Sequence, residues 1–246
     1  MPVDTDLSQR RWLILVSTVV SFFAVGTTFF AVPPLVAELT ERFALDHLHI
    51  GILMGAIAIP AICISIPLGS AVDRWPSRST GVAGLALMAV GATIFALAPG
   101  YIALVAGRIV FGVGGLVMNL LLARLVTAAF EGRELSLAMG VFNSVYPASM
   151  IVMFSLHPAL LAALGWRGEL LILAGLAVVA VPLHIVAVPA GAGGAADRAT
   201  PAAARNRLNP SLMALAVAWA LFFGVYAAVF TFAAEWAGPG TAGLLT

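Results

Sequence analysis

No lysine stands among the twelve basic residues of this 246-residue chain; every one is arginine. A retinal pigment, which holds its chromophore as a lysine Schiff base, is thereby excluded. The one cysteine, Cys63, sits in an apolar stretch, so there is neither a disulfide framework nor a thiolate metal site. Charged residues make up only 9% of the chain, against about a quarter in soluble domains. The net charge of +1, with no basic cluster, gives no footing for nucleic acid. His-Glu-x-x-His, Gly-x-Ser-x-Gly and a phosphate-binding glycine loop are all missing, so no catalytic residue, cofactor or enzyme activity is assigned. What is abundant is apolar surface: 62% of residues are hydrophobic and the mean hydropathy is +1.07. These bounds describe an all-α integral membrane protein lying almost entirely in the lipid bilayer.

A helix needs about 20 apolar residues to cross roughly 30 Å of hydrocarbon. Seven stretches meet or approach that length: 12–32, 49–72, 80–98, 101–126, 136–156, 170–188 and 210–234. They are continuous rather than alternating, which excludes a membrane barrel. Turn chemistry marks the joins. Pro33-Pro34 ends the first stretch, Asp46 caps the second, Pro99-Gly100 separates the third from the fourth, and Gly165 precedes the sixth. The polar segment 190–209, rich in Ala and Gly, reads as a linker. The domains expected are therefore a six-helix bundle over 1–189, a linker over 190–209, and a seventh helix within 210–246.

Arginine placement sets the direction. With the N-terminus inside, the cytoplasmic side carries Arg10, Arg11, Arg74, Arg78, Arg124, Arg133, Arg198, Arg205 and Arg207, and the other side only Arg42 and Arg167. Ser8-Gln9-Arg10-Arg11 is a faint echo of a twin-arginine signal. The long run after it and the six further spans make the first helix a retained one.

The join after the second span reads Gly69-Ser-Ala-Val-Asp73-Arg74-Trp-Pro-Ser-Arg78. It is similar to the signature Gly-x-x-x-Asp-(Arg/Lys)-x-Gly-Arg-(Arg/Lys) of the major facilitator superfamily. Gly69, Asp73, Arg74 and Arg78 match, whereas Pro76 and Ser77 depart from the pattern. The resemblance implies a conformational switch loop. In it Gly69 allows close helix approach, Asp73 accepts hydrogen bonds from a helix N-terminus of the partner half, and Arg74 and Arg78 pair with Glu131 or Glu134. Taken alone, the arginines are equally explained by the positive-inside bias.

Leu104-Val-Ala-Gly-Arg108-Ile-Val-Phe111-Gly112-Val-Gly114-Gly115 resembles the same family's fourth-span pattern, with Phe111 in place of a glutamine. Arg108 is the one charge well inside any of the seven stretches, and no Asp or Glu lies deep in a span. An intramembrane arginine costs at least about 2.5–3.5 kcal/mol, so it should face a wet cavity or an acceptor. Arg108, Gly112, Gly115 and Asn119 share one helix side, with Gly112 and Gly115 as packing positions. The competing reading is an arginine bonded to backbone carbonyls at a helix crossing.

The fifth span presents Asn143, Tyr146, Met150 and His157 near one face, with Pro147 interrupting its backbone bonding. The glycine pairs of the family's antiporter pattern are absent around that proline. Trp219, Phe222, Tyr226 and Phe230 form an aromatic stripe on the seventh span; Gly51 and Gly55 are a small-residue contact; His184 reads as a packing histidine. Asp46, His47 and His49 could ligate a metal, but a helix cap explains them equally well and no metal is assigned.

The resemblance implies a six-helix half of two inverted three-helix repeats, followed by the first helix of a second half. The expected function is secondary active transport of a small solute, a small anion given the unbalanced Arg108, by alternating access in a bacterial-type inner membrane. The substrate pathway would comprise Arg108, Asn119, Asn143, Tyr146 and Tyr226. A second half, in cis or in trans, is the expected partner, with the chain read as part of a twelve-helix protein, and proton coupling would come through an acid of that half. Two alternatives stand beside this reading: a non-transporting membrane scaffold or assembly protein, and a drug–proton exporter.

Overall fold

The computed structural model describes residues 10–192, together with the helical residues Ala214, Val217, Ala218, Leu221 and Val225. The chain divides into two compact units, Met1–Ala196 and Asp197–Thr246. The seventh stretch, with Trp219, Phe222, Tyr226 and Phe230, otherwise lies outside the described residues.

In the first unit the described residues form helices and no strands. Helix α1 (Arg11–Phe30) runs, with one turn residue at Ala31, into α2 (Val32–Phe43). Pro33 and Pro34 therefore open a helix rather than close one. In the first turn the missing amide has no partner to lose, and the fixed φ already suits a helix. The first span is thus longer than apolarity suggests, Arg11–Phe43.

Helix α3 (His47–Gly55) starts at Asp46, whose Oδ1 accepts from the His49 amide at 2.8 Å. That hydrogen bond first, and the His49 ring second, hold the Asp46 carboxyl below its ordinary value of 3.8. A depressed value means that the cap is complete above pH 3.8 and is lost as pH falls below it. Amide exchange at His49, corrected for intrinsic rate, should therefore lose its protection only in acid. In Asp46→Ala it should be unprotected at every pH. Equal protection in the variant would show that the carboxylate is not the cap.

A 3₁₀ turn at Ala56–Ala58 leads into α4 (Ile59–Arg74). Pro60 explains the tightening, because its ring crowds the carbonyl four residues back and it has no amide to donate. Helices α5 (Ser77–Ala96) and α6 (Tyr101–Ala129) follow. They touch backbone to backbone through glycines. A Cβ on Gly114 would come within 2.6 Å of the Gly84 carbonyl oxygen, and one on Gly107 within 2.7 Å of the Phe95 nitrogen. Small residues of this kind are what draws helices together in lipid, where burial against another helix gains little over burial against acyl chains.

Helix α7 (Gly132–Ala187) has 56 residues, about 84 Å if straight and far more than one crossing needs. It is broken at Gly165, where φ 67° and ψ 170° fall in a region that is essentially glycine-only. The two limbs, 132–164 and 166–187, fold back on each other: His157 and Glu169 lie 2.9 Å apart, whereas twelve residues of straight helix would separate them by about 18 Å. With these limbs counted separately, the described residues supply six helical stretches long enough to cross a membrane. Helix φ/ψ continue through Pro147, so that proline does not break the fifth span.

The core lies between α1, α5, α6 and α7. Phe22 stacks on Phe142 at 4.4 Å, and Leu85, Met88, Met118, Leu121 and Leu122 are fully enclosed. Much of α3 and α4 stays uncovered, with Ile59, Ile62 and Ile66 exposed.

Candidate functional site

Arg108 lies where five elements meet. It is 3% exposed and borders a cavity of about 10 Å³ lined by Thr28 and Val32, by Gly91, Ala92 and Phe95 of α5, by Gly107 and Phe111, and by Leu170 of the second α7 limb. That is room for about one water. The phenyl ring of Phe111, where the resembling pattern has an amide, makes this wall apolar.

Glycine lets the guanidinium sit there. Gly91 and Gly107 bring α5 against α6 beside it, and Gly112 lets α6 approach the carbonyl of Ile57 in the 3₁₀ turn. Gly115 differs from Gly112 in degree. A Cβ there would only reach ordinary contact with Val25, at 3.8 Å.

The polar partners of Arg108 are few. Its Nη1 donates to the Thr28 carbonyl oxygen at 3.5 Å, and its Nε is buried with no partner. The guanidinium lies 5.9 Å from the Phe29 ring centroid. Tyr146 packs its ring on Phe29 at 5.7 Å and on Phe30 at 4.8 Å, and is not among the residues that line the cavity. One arm of Arg108 thus meets a backbone carbonyl, as at a helix crossing, while its Nε is buried without a partner.

The other expected pathway residues are placed differently. Asn119 is exposed, and Asn143 is exposed with its amide donating to its own helix at the Met139 carbonyl, 2.8 Å. Neither reaches the Arg108 cavity. Tyr226 lies outside the described residues.

In the switch loop Asp73 is 70% exposed and 3.8 Å from Arg124, which also donates to the Val72 carbonyl oxygen at 3.0 Å. This α6 arginine thus holds the C-terminal end of α4. Arg74 and Arg78 do not pair with Glu131 or Glu134. Glu134 instead takes Arg11 from the start of the chain, at 2.9 Å. Gly69 makes no close approach among the described residues, and neither do Gly51 and Gly55; a Cβ on any of the three would meet nothing within 4 Å.

One buried group escapes a reading based on apolar stretches. Glu169, in the first turn of the second α7 limb, is a fully buried acid. Its side chain is 0% exposed and both its oxygens lie within hydrogen-bond distance of His157 Nδ1, at 2.9 and 3.1 Å. The sequence Gly165-Trp-Arg-Gly-Glu169 resembles a polar loop, which hides it; a histidine within the preceding apolar run was the available signal. His184 is enclosed, with Nε2 3.4 Å from the Ser77 carbonyl oxygen, Nδ1 unpartnered, and its ring occupying the space left by Gly81.

Comparison with known proteins agrees with this architecture. The chain is 30% identical over 162 residues to a nitrate/nitrite transporter, NrtP, of Picosynechococcus sp., a match covering 61% of this chain and 29% of that protein. Its fold is similar to the crystal structure of a peptide transporter, POT, in complex with alafosfalin, with TM-score 0.64 at 13% identity over 89% of this chain. The chain spans 46% of that structure's length, so it corresponds to about half of such a protein. The sequence pattern of the Major Facilitator Superfamily matches residues 14–243, and the chain belongs to that family of multi-pass membrane transporters, which are not enzymes.

Proposed function

We propose that this chain serves the transport of a small inorganic anion of the nitrate or nitrite class by alternating access, with Arg108 receiving the anion. One observation carries the reading: the Arg108 guanidinium is buried in a mostly apolar pocket with one long carbonyl contact and an unpartnered Nε. Such a cation is costly in hydrocarbon, and a planar anion would supply the missing acceptors through a forked, charge-assisted contact. The cavity holds about one water, so an anion reaches Arg108 only when the lining helices part, which is what alternating access provides. The nitrate/nitrite transporter among the relatives supports this choice of anion.

In this reading residues 1–189 form the first half of the carrier, 190–209 the linker, and 210–246 the beginning of the second half. The N-terminus and linker face the cytoplasm of an inner membrane. The loop from Gly69 to Arg78 latches onto the second half, supplied in cis or in trans, and the exposed Asn119 and Asn143, with Tyr226, face the pathway between the halves.

The test is labelled-nitrate uptake into proteoliposomes containing the native protein, together with its intact mass. Saturable uptake competed by nitrite and not by a dipeptide is the expected result; competition by a dipeptide alone would sink the anion assignment. A mass near 25.4 kDa would direct the same assay to the chain with whatever second half co-purifies.

A further inference from the structure

The His157–Glu169 pair lies outside the Arg108 pocket yet adjoins it, because Leu170, the residue after Glu169, lines that cavity. The pair joins the two limbs of α7 across the Gly165 break. Its halves are unequally enclosed: the Glu169 side chain is 0% exposed, whereas that of His157 keeps 10%. Both carboxylate oxygens face one imidazole nitrogen, at 2.9 and 3.1 Å. A buried acid and base at this distance can hold one proton in either of two places, with no net change in buried charge. Well-packed hydrophobic replacements of a buried pair are often as stable or more so, so stability alone does not account for an ionisable pair here.

We propose that His157 and Glu169 form a proton-binding site, in which the imidazole is the entry and the carboxylate the store. A proton arriving from water adds to Nε2 of neutral His157 while the Nδ1 proton passes to Oε1 of Glu169. This leaves a neutral imidazole of the other tautomer and a neutral carboxyl; release runs the same transfers backwards. No other co-reactant is needed.

The charges around the pair favour coupling to the cavity. Arg108 stands across it, and Arg42 and Arg167 both lie at the Trp166 ring, 5.7 and 5.3 Å from its centroid. Glu38 and Glu41 are on α2. Helices α1 and α5 bring charge only at their other ends, Arg11 at Glu134 and Arg78 by His184. An anion at Arg108 would offset a cation that otherwise disfavours proton uptake at the pair. This coupling rests on the anion reading above; the proton exchange itself does not.

The experiment is infrared difference spectroscopy on the full chain in lipid vesicles, stepping from about pH 8 to about pH 5, in sodium nitrate or sodium chloride. The wild type should gain a carboxyl C=O band that Glu169→Gln lacks, and the band should differ in size between nitrate and chloride. His157→Gln should slow its appearance by at least about tenfold, since the entry group is gone; this arm decides the matter if Glu169→Gln does not fold. A wild-type spectrum without a band removed by Glu169→Gln overturns the site, and equally fast appearance in His157→Gln overturns the relay. Bound nitrate with a band of the same size as in chloride overturns the coupling. A normal band with no nitrate binding supports the proton site and sinks the anion reading instead.

Discussion

Arg108→Lys should reduce nitrate binding by roughly ten- to a hundredfold, as far as Arg108→Ala does, while the protein still inserts and stays monodisperse in detergent. The charge is kept in the lysine variant, so the loss tests geometry. The guanidinium spends Nη1 on the Thr28 carbonyl and leaves Nε and the remaining donors directed elsewhere. A lysine ammonium on a flexible stem can follow the carbonyl or the anion but has no rigid fork to satisfy both. Hydrogen bonds to charged groups are worth about 1.5–3 kcal/mol, and each 1.4 kcal/mol is about tenfold in affinity. Stability should change little in the lysine variant, because the carbonyl contact is long, 3.5 Å, and the ammonium can replace it. Binding of labelled nitrate to the purified variants decides it, and wild-type affinity in Arg108→Lys would reassign Arg108 to a helix crossing.

Turn residues mark the Asp46 cap and the Gly165 break, and the motif around Arg108 marks the one buried arginine among the described residues. These are local properties, carried by the residues that show them. Partnerships across the chain are not. Glu134 sits in the first turn of α7 with arginines close by in sequence, yet takes Arg11, more than a hundred residues away. Glu169 looks like a loop residue until Gly165 turns the chain and sets His157 against it. Pro33-Pro34 is ambiguous for another reason: proline stops a helix from inside and starts one from its first turn, and nothing local chooses between them. The helix contact was legible in principle. Gly84 and Gly91 on α5, and Gly107 and Gly114 on α6, each repeat at seven residues, two turns apart on one face. By contrast Gly51 and Gly55 have the right spacing but no neighbour among the described residues.

That glycine contact supports the largest expected effect on stability, and a way to separate packing from binding. In Gly107→Ala the new methyl would lie 2.7 Å from the Phe95 nitrogen and 2.8 Å from the Gly91 carbonyl oxygen. Both obstacles are backbone, so no rotamer change relieves them, and α5 and α6 must move apart. Overpacking of this kind costs about 1–3 kcal/mol. For a domain of this size that is a fall of about 2–4 °C in melting temperature for each kcal/mol. Gly114→Ala meets the Gly84 oxygen at 2.6 Å and the Met88 nitrogen at 2.7 Å, and should lose a similar amount. The two should differ in binding. Gly107 precedes Arg108 and lines its cavity, whereas Gly114 lies two turns along and does not. Parting the helices at Gly107 displaces the anion site directly, so affinity for nitrate should fall severalfold more than in Gly114→Ala. Gly51→Ala and Gly55→Ala are the controls. With no neighbour within 4 Å of either methyl, they should leave both quantities alone or raise stability slightly through helix propensity. Thermal unfolding in detergent with parallel nitrate binding reads the four variants. Equal binding losses at Gly107 and Gly114 would mean that the anion senses the packing of the whole bundle rather than the ring of residues around Arg108.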